Sequence, residues 1–237
     1  MKRILTAFLS LLICVSAVSC GGSDEEATAS ADLKNAKVGE YVSFGNYFME
    51  EIEEDDDSSV AEKDLKKPIE WLVLDKKDGK ILVISRYAID CQLYNSSYTD
   101  VCWEDSTLRT WLNGSFLKTA FNKTQQNKIV STTVKTAANA EYGTESGGDV
   151  EDKIFILSAE EVAKYLPDNR LCKPTDYAKA LGAGGEKGGD SCGWWLRNSG
   201  YNNGRAMDVD KDGSIDSYGN YVVYSYNGVR PAMWIKV

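Results

Sequence analysis

The sequence predicts an α+β domain of mixed or antiparallel strands with a few short helices. Three observations carry that expectation. Apolar runs of strand length lie toward both ends of the folded part, helix start and stop signals are confined to its middle, and turn dipeptides separate neighbouring apolar runs. Residues 38–49 alternate apolar and polar and read as a bent strand or strand pair. Residues 68–74 (PIEWLVL) and 81–85 (ILVIS) are strands joined across Asp78-Gly79, a hairpin signal. Residues 50–57, acidic at seven of eight positions, read as a solvated loop between the early strands. Ser106 precedes a helical stretch at 107–112 that places Leu108, Trp111 and Leu112 on one face, and Gly114 stops it. Short helical turns are expected at 117–121 and 124–130, then a polar loop over 134–148 and a buried strand at 154–157.

Ser158 and Glu161 form a capping box for a helix over 159–166, ended by Pro167. Thr175 caps a helix over 176–181, stopped by Gly182. The last third returns to strands: 192–197, a hairpin of 205–210 and 214–217 around Lys211-Asp212-Gly213, an alternating run at 221–226, and 229–237. Trp194, Trp195 and Trp234 are expected in the core. Arg197 and Arg230, set in apolar strands, are expected to pair with a carboxylate such as Glu70 or an aspartate.

Composition limits the chemistry. The 237 residues include 27 basic and 36 acidic side chains and no histidine. This excludes Ser-His-Asp and Cys-His nucleophile pairs and histidine-based zinc sites. The net charge of −9 argues against nucleic-acid binding, which uses a basic face. Hydrophobic content of 43% fits a chain that buries a core.

The N-terminus reads as an address. Lys2 and Arg3 precede an apolar stretch at 4–18 that is short for a membrane span and suits a secretory signal. Ala17-Val18-Ser19-Cys20 resembles the lipobox of bacterial lipoproteins. That resemblance implies a signal peptide at 1–19, acylation of Cys20, and a lipidated N-terminus with a flexible tether over 20–37 ahead of a single domain at 38–237. The protein would then sit at a bacterial cell surface or periplasmic face, touching the membrane through its lipid anchor only. Ordinary cleavage near Ser19 is the alternative. Loss of Lys2 and Arg3 takes the charge from −9 to −11. Cys91, Cys102, Cys172 and Cys192 then remain, as two disulfides of unknown pairing or as buried thiols.

Two patterns suggest a site. Residues 198–228 contain five Tyr, five Asn, five Gly and four Ser, the mixture that recognition surfaces use because Tyr gives amphipathic contact at low entropy cost and Asn adapts its hydrogen bonds. Tyr201, Asn202, Asn203, Tyr218, Asn220 and Tyr221 are the candidate ligand-binding residues, with Tyr224 or Tyr226 expected in the core. The second pattern is Asp208-Val-Asp210-Lys-Asp212-Gly213, which matches the first half of a calcium loop, with Asp216 close by. The match fails where Gly219 stands in place of the bidentate Glu. Hairpin pairing instead sets Val209 opposite Ile215 and Asp208 opposite Asp216. A solvated acidic hairpin is preferred over a Ca²⁺ site, and no other cofactor is expected.

Seven pieces in order carry a family likeness: residues 44–47 (FGNY), 68–74 (PIEWLVL), 85–90 (SRYAID), 108–113 (LRTWLN), 173–178 (KPTDYA), 194–197 (WWLR) and 229–234 (VRPAMW). Together they resemble an uncharacterised domain family of secreted bacterial proteins, which implies no particular activity. The closing strands and hairpins are distantly similar to the C-type-lectin-like fold, shared by formylglycine-generating enzymes and some bacterial surface binders. The enzyme branch of that fold uses a reactive cysteine pair, and neither Cys172 nor Cys192 falls in its motif. The expectation is a non-catalytic surface module that binds a glycan or a protein. The alternatives are an extracellular enzyme using carboxylates or a cysteine pair, and a structural envelope protein.

Overall fold

The computed structural model describes residues 32–52, 65–185 and 190–237. The signal segment, Cys20, most of the tether and most of the acidic run lie outside these residues. Eleven strands and five short α-helices follow in chain order. The strands are β1 (Tyr41–Phe48), β2 (Lys66–Lys77), β3 (Lys80–Ser85), β4 (Asp90–Cys91), β5 (Thr132–Val134), β6 (Val150–Asp152), β7 (Trp194–Ser199), β8 (Arg205–Val209), β9 (Ile215–Tyr221), β10 (Gly228–Val229) and β11 (Ala232–Lys236). The helices are α1 (Thr107–Trp111), α2 (Leu117–Ala120), α3 (Lys123–Lys128), α4 (Ala159–Tyr165) and α5 (Asp176–Ala180). A single π turn, Leu112–Phe116, joins α1 to α2. Among the described residues no helix is long and apolar enough to cross a membrane.

Two sheets carry the fold. One is antiparallel, in the order β1-β2-β3-β11; the other runs β4-β10-β7-β8-β9 and is mixed, because β10 and β7 are parallel. Strands β5 and β6 form a small separate ladder. The β2–β3 hairpin turns at Asp78 and Gly79, with φ of 51° and 68°, the two positive values such a tight turn requires. Continuous apolar runs in β2 and β3 correspond to burial on both faces, with Ile69, Trp71, Val73 and residues 81–84 all inside. Helices α1 and α2 cover the first sheet through a chain of rings, Trp111–Phe116–Phe121–Phe44. The helix starts follow the capping signals: Ser106, Ser158 and Thr175 each accept a backbone N–H of the first turn.

Some elements differ from the sequence expectation. Residues 154–157 are buried but form only a bridge from Phe155 to Ala232, because the backbone of Leu157 turns to meet Arg197. The alternating run at 221–226 ends as a strand at Tyr221 and continues in turns. The closing strand breaks at Arg230-Pro231, where the chain leaves the second sheet (β10) for the first (β11). Residues 32–36 already fold onto the domain: Ala36 is buried, and Lys76 Nζ donates to the carbonyls of Lys34 and Ala36.

Strand β7 is buried along its whole length although half of it is polar. Arg197 is satisfied by four groups: the carbonyls of Ile156 and Lys135, Thr136 Oγ1, and Glu161 Oε2 at 2.5 Å. Its partner is therefore Glu161 of the α4 capping box and not Glu70, which pairs with Arg86 at 3.0 Å. Arg230, also buried, pairs with no carboxylate among the described residues; its Nε donates to the Ser85 carbonyl at 2.9 Å.

Candidate binding surface

Strand β9 is the outer strand of the second sheet, paired with β8 on one side. Regular alternation would put Tyr218 and Tyr221, three residues apart, on opposite faces. A bulge prevents this. The β8–β9 register pairs Arg205 with Tyr221 and Ala206 with Asn220, then slips so that Asp208 pairs with Asp216. Gly219 makes the slip with φ of 76°, and a Cβ there would lie 2.4 Å from the Ala206 carbonyl oxygen. Both tyrosines consequently flank Arg205, whose guanidinium carbon lies 4.5 Å from the Tyr218 ring centre and 3.7 Å from that of Tyr221. Arg205 Nη1 also donates to the Gly219 carbonyl, which ties the guanidinium to the bulge.

The rings continue in both directions. Tyr201 stacks on Tyr218 at 5.2 Å, and Tyr142 meets both edge-on. On the other side Tyr98 meets Tyr221 at 5.3 Å. The result is an exposed stripe of five tyrosines interrupted by one arginine, with the rings 38–62% exposed. The 198–228 composition singled out Tyr201, Tyr218 and Tyr221. Tyr98 and Tyr142 come from distant loops that carry no local signal, and Arg205 was read only as a strand residue.

The candidate asparagines hold the scaffold behind the stripe. Asn202 Oδ1 accepts from the Gly204 N–H. Asn203 Nδ2 donates to Glu145 O, Ser199 Oγ and Cys102 Sγ, and Asn220 Nδ2 donates to Asp208 Oδ2 at 2.9 Å. Tyr226 is 40% exposed and not in the core. Its ring and that of Tyr224, 5.3 Å apart, help line a cavity of about 170 Å³ with Asp210, Asn220 and Asn227.

The acidic hairpin has the expected register, and Asp210 and Asp212 are exposed, but Asp208 is not solvated. Asp208 is buried, since β8 is covered on both faces along Ala206 to Val209. Burial, with Asp210 and Asp216 adding like charge, pushes its carboxyl up to about 7. Asp210 is raised for the same reasons, burial first and Asp216 next. Asp212 accepts from the N–H and hydroxyl of Ser214, and Asp216 accepts from the Tyr218 N–H. Among the described residues no three acidic or thiol groups converge as a metal site would need.

Among the described residues no disulfide joins Cys91, Cys102, Cys172 or Cys192 in this structure. Cys91 donates to the Ser225 carbonyl and burial pushes it up to about 12, while Cys102 lies against Asn203. Cys172 and Cys192 lie side by side and buried, with the Cys192 N–H donating to the Cys172 carbonyl. An open hollow of about 390 Å³ lies beside Met49, Tyr87 and Pro174, and the two carboxylates in its wall, Glu70 and Asp176, are held by Arg86 and Lys179.

No curated protein and no solved structure matches the chain. A family model does, over residues 78–237, which takes in every strand from β3 onward and the whole tyrosine stripe. The earlier pieces that carried the likeness, at 44–47 and 68–74, precede the match. The chain thus belongs to the domain of unknown function family DUF6273.

Proposed function

We propose that the protein is a non-catalytic binding module, with a C-type-lectin-like arrangement of its closing strands, that takes an extended glycan or protein ligand along the tyrosine stripe. The stripe itself carries this reading: five exposed rings and a guanidinium are brought together from three separate segments by a bulge, a backbone conformation that favours glycine and cation–π contacts. Tyrosine hydroxyls and ring faces suit the mixed polar and apolar faces of sugar rings. The same residues, Tyr and Arg, are those that dominate protein interface hot spots. In this reading the acylated Cys20 holds the module at the outer face of a bacterial membrane and the tether presents the stripe to ligands.

The carboxylates support an enzyme less well. Asp208 is buried outside the cavity wall, Asp210 in that wall is exposed, and Glu70 and Asp176 are paired with Arg86 and Lys179. A screen of the protein against immobilised glycans and extracellular proteins tests the proposal. The expected result is retention of one ligand class, lost on Tyr201→Ala, Tyr218→Ala and Tyr221→Ala together. Unchanged retention by the triple variant would remove the stripe as the site.

A further inference from the structure

Cys172 and Cys192 flank the segment that carries α5, and the fold returns them to contact. The Cys192 N–H donates to the Cys172 carbonyl at 2.8 Å. In a hydrogen-bonded strand pair such a contact sets Cα atoms about 5.5 Å apart. That falls within the roughly 4.4–6.8 Å that a disulfide spans. The two thiols also lie close enough to shift one another's ionisation, Cys172 down and Cys192 up. Both residues are buried.

Arg230 supplies a second observation. It is 3% exposed, its guanidinium lies 5.1 Å from the Trp194 ring centre, and its Nη1 has no hydrogen-bond partner. A buried cation without a carboxylate is costly, and the groups its charge reaches are these two thiols. Burial alone would push the Cys172 thiol up; the neighbouring Cys192 thiol and the Arg230 charge reverse this and bring it below the ordinary thiol range. Cys91, by contrast, is raised by burial and is the poorer nucleophile.

We propose that Cys172 and Cys192 are joined by a disulfide in the mature protein. The oxidant is a disulfide of the glutathione or thiol-oxidoreductase class, acting as the chain folds and before the core closes. The Cys172 thiolate attacks one oxidant sulfur and expels the other as a thiol. Cys192 then loses its proton and attacks the Cys172 sulfur, expelling the second thiol. Two protein thiols are oxidised and one external disulfide is reduced. The inference goes beyond the binding reading and stands or falls separately from it.

The test is to fold the full chain in a buffer of oxidised and reduced glutathione, alkylate free thiols under denaturing conditions, and map the peptides by mass spectrometry. The expected result is a Cys172–Cys192 linked peptide with Cys91 and Cys102 alkylated. Alkylation of both Cys172 and Cys192, or a link through Cys91, overturns the proposal. Thermal unfolding gives a second reading. Protein folded in excess dithiothreitol should melt roughly 6–12 °C below the oxidised protein, as for a loop of this length. Equal melting temperatures in the two states also overturn it.

Discussion

Arg205 sits between two tyrosine rings, and its loss removes both contacts at once. Exposed cation–π contacts contribute about 0.5–1 kcal/mol each. Arg205→Ala should therefore lower stability by about 1–2 kcal/mol in a denaturant titration and let Tyr218 and Tyr221 move independently. Asp208 gives a pH signature. Its carboxyl is raised to about 7 in the fold, against the 3.8 of an unperturbed aspartate. Between those values the folded state holds a proton that the unfolded chain has released, so this residue lowers stability as pH rises from about 4 to about 7. Asp208→Asn keeps an acceptor for Asn220 and removes the charge. It should match the wild type near pH 4 and exceed it at pH 8 by on the order of 1–3 kcal/mol. A variant that shows no gain at pH 8 would contradict the burial argument. The pairing of Asp208 with Asp216 was legible in the sequence, because alternation and the Lys211-Asp212-Gly213 turn fix the register. The burial of Asp208 was not, because nothing local to β8 indicates that both its faces are covered.

At the scale of elements, the bulge in β9 and the junction of β7 with α4 matter most. Gly219→Ala adds a Cβ that meets the Ala206 carbonyl and forces a non-glycine residue to a φ of 76°. The expected cost is about 2 kcal/mol or more, with loss of the shared face of Tyr218 and Tyr221 and therefore of binding. Arg197→Ala leaves Glu161 without its cation and the carbonyls of Ile156 and Lys135 without a donor. Breaking a buried pair in this way should destabilise by about 3–5 kcal/mol, measurable by urea unfolding. Helix starts at Ser106, Ser158 and Thr175 were legible because caps are written in adjacent residues. The partner of Arg197 was not, since Glu161 was fully accounted for as a capping residue. Residues 154–157 and 221–226 misled for a related reason: their apolar content reports burial, and tertiary neighbours decide whether a buried stretch finds a strand to pair with.

At the scale of the molecule, the chain crosses between the two sheets at β3–β4 and again at β10–β11, and the site lies at the outer edge of the second sheet, at β9. The order of strands, helices and strands made the α+β class readable from the sequence. The assembly of the stripe was only half readable, because composition marks residues 198–228 while Tyr98 and Tyr142 arrive from loops that the fold brings across. Stripe and thiol pair are separate in the chain and in their tests, so recognition and cross-linking can each fail without the other. The central claim is that the tyrosine stripe is a ligand-binding surface. The most direct measurement is the affinity of the captured ligand for the wild-type protein and for the Tyr201→Ala, Tyr218→Ala, Tyr221→Ala variant, with melting temperature as a control for folding. The account predicts a fall in affinity of at least about a hundredfold, as for loss of about 3 kcal/mol of hot-spot contact, with a melting temperature changed by only a few degrees. Equal affinities in two equally folded proteins would contradict it.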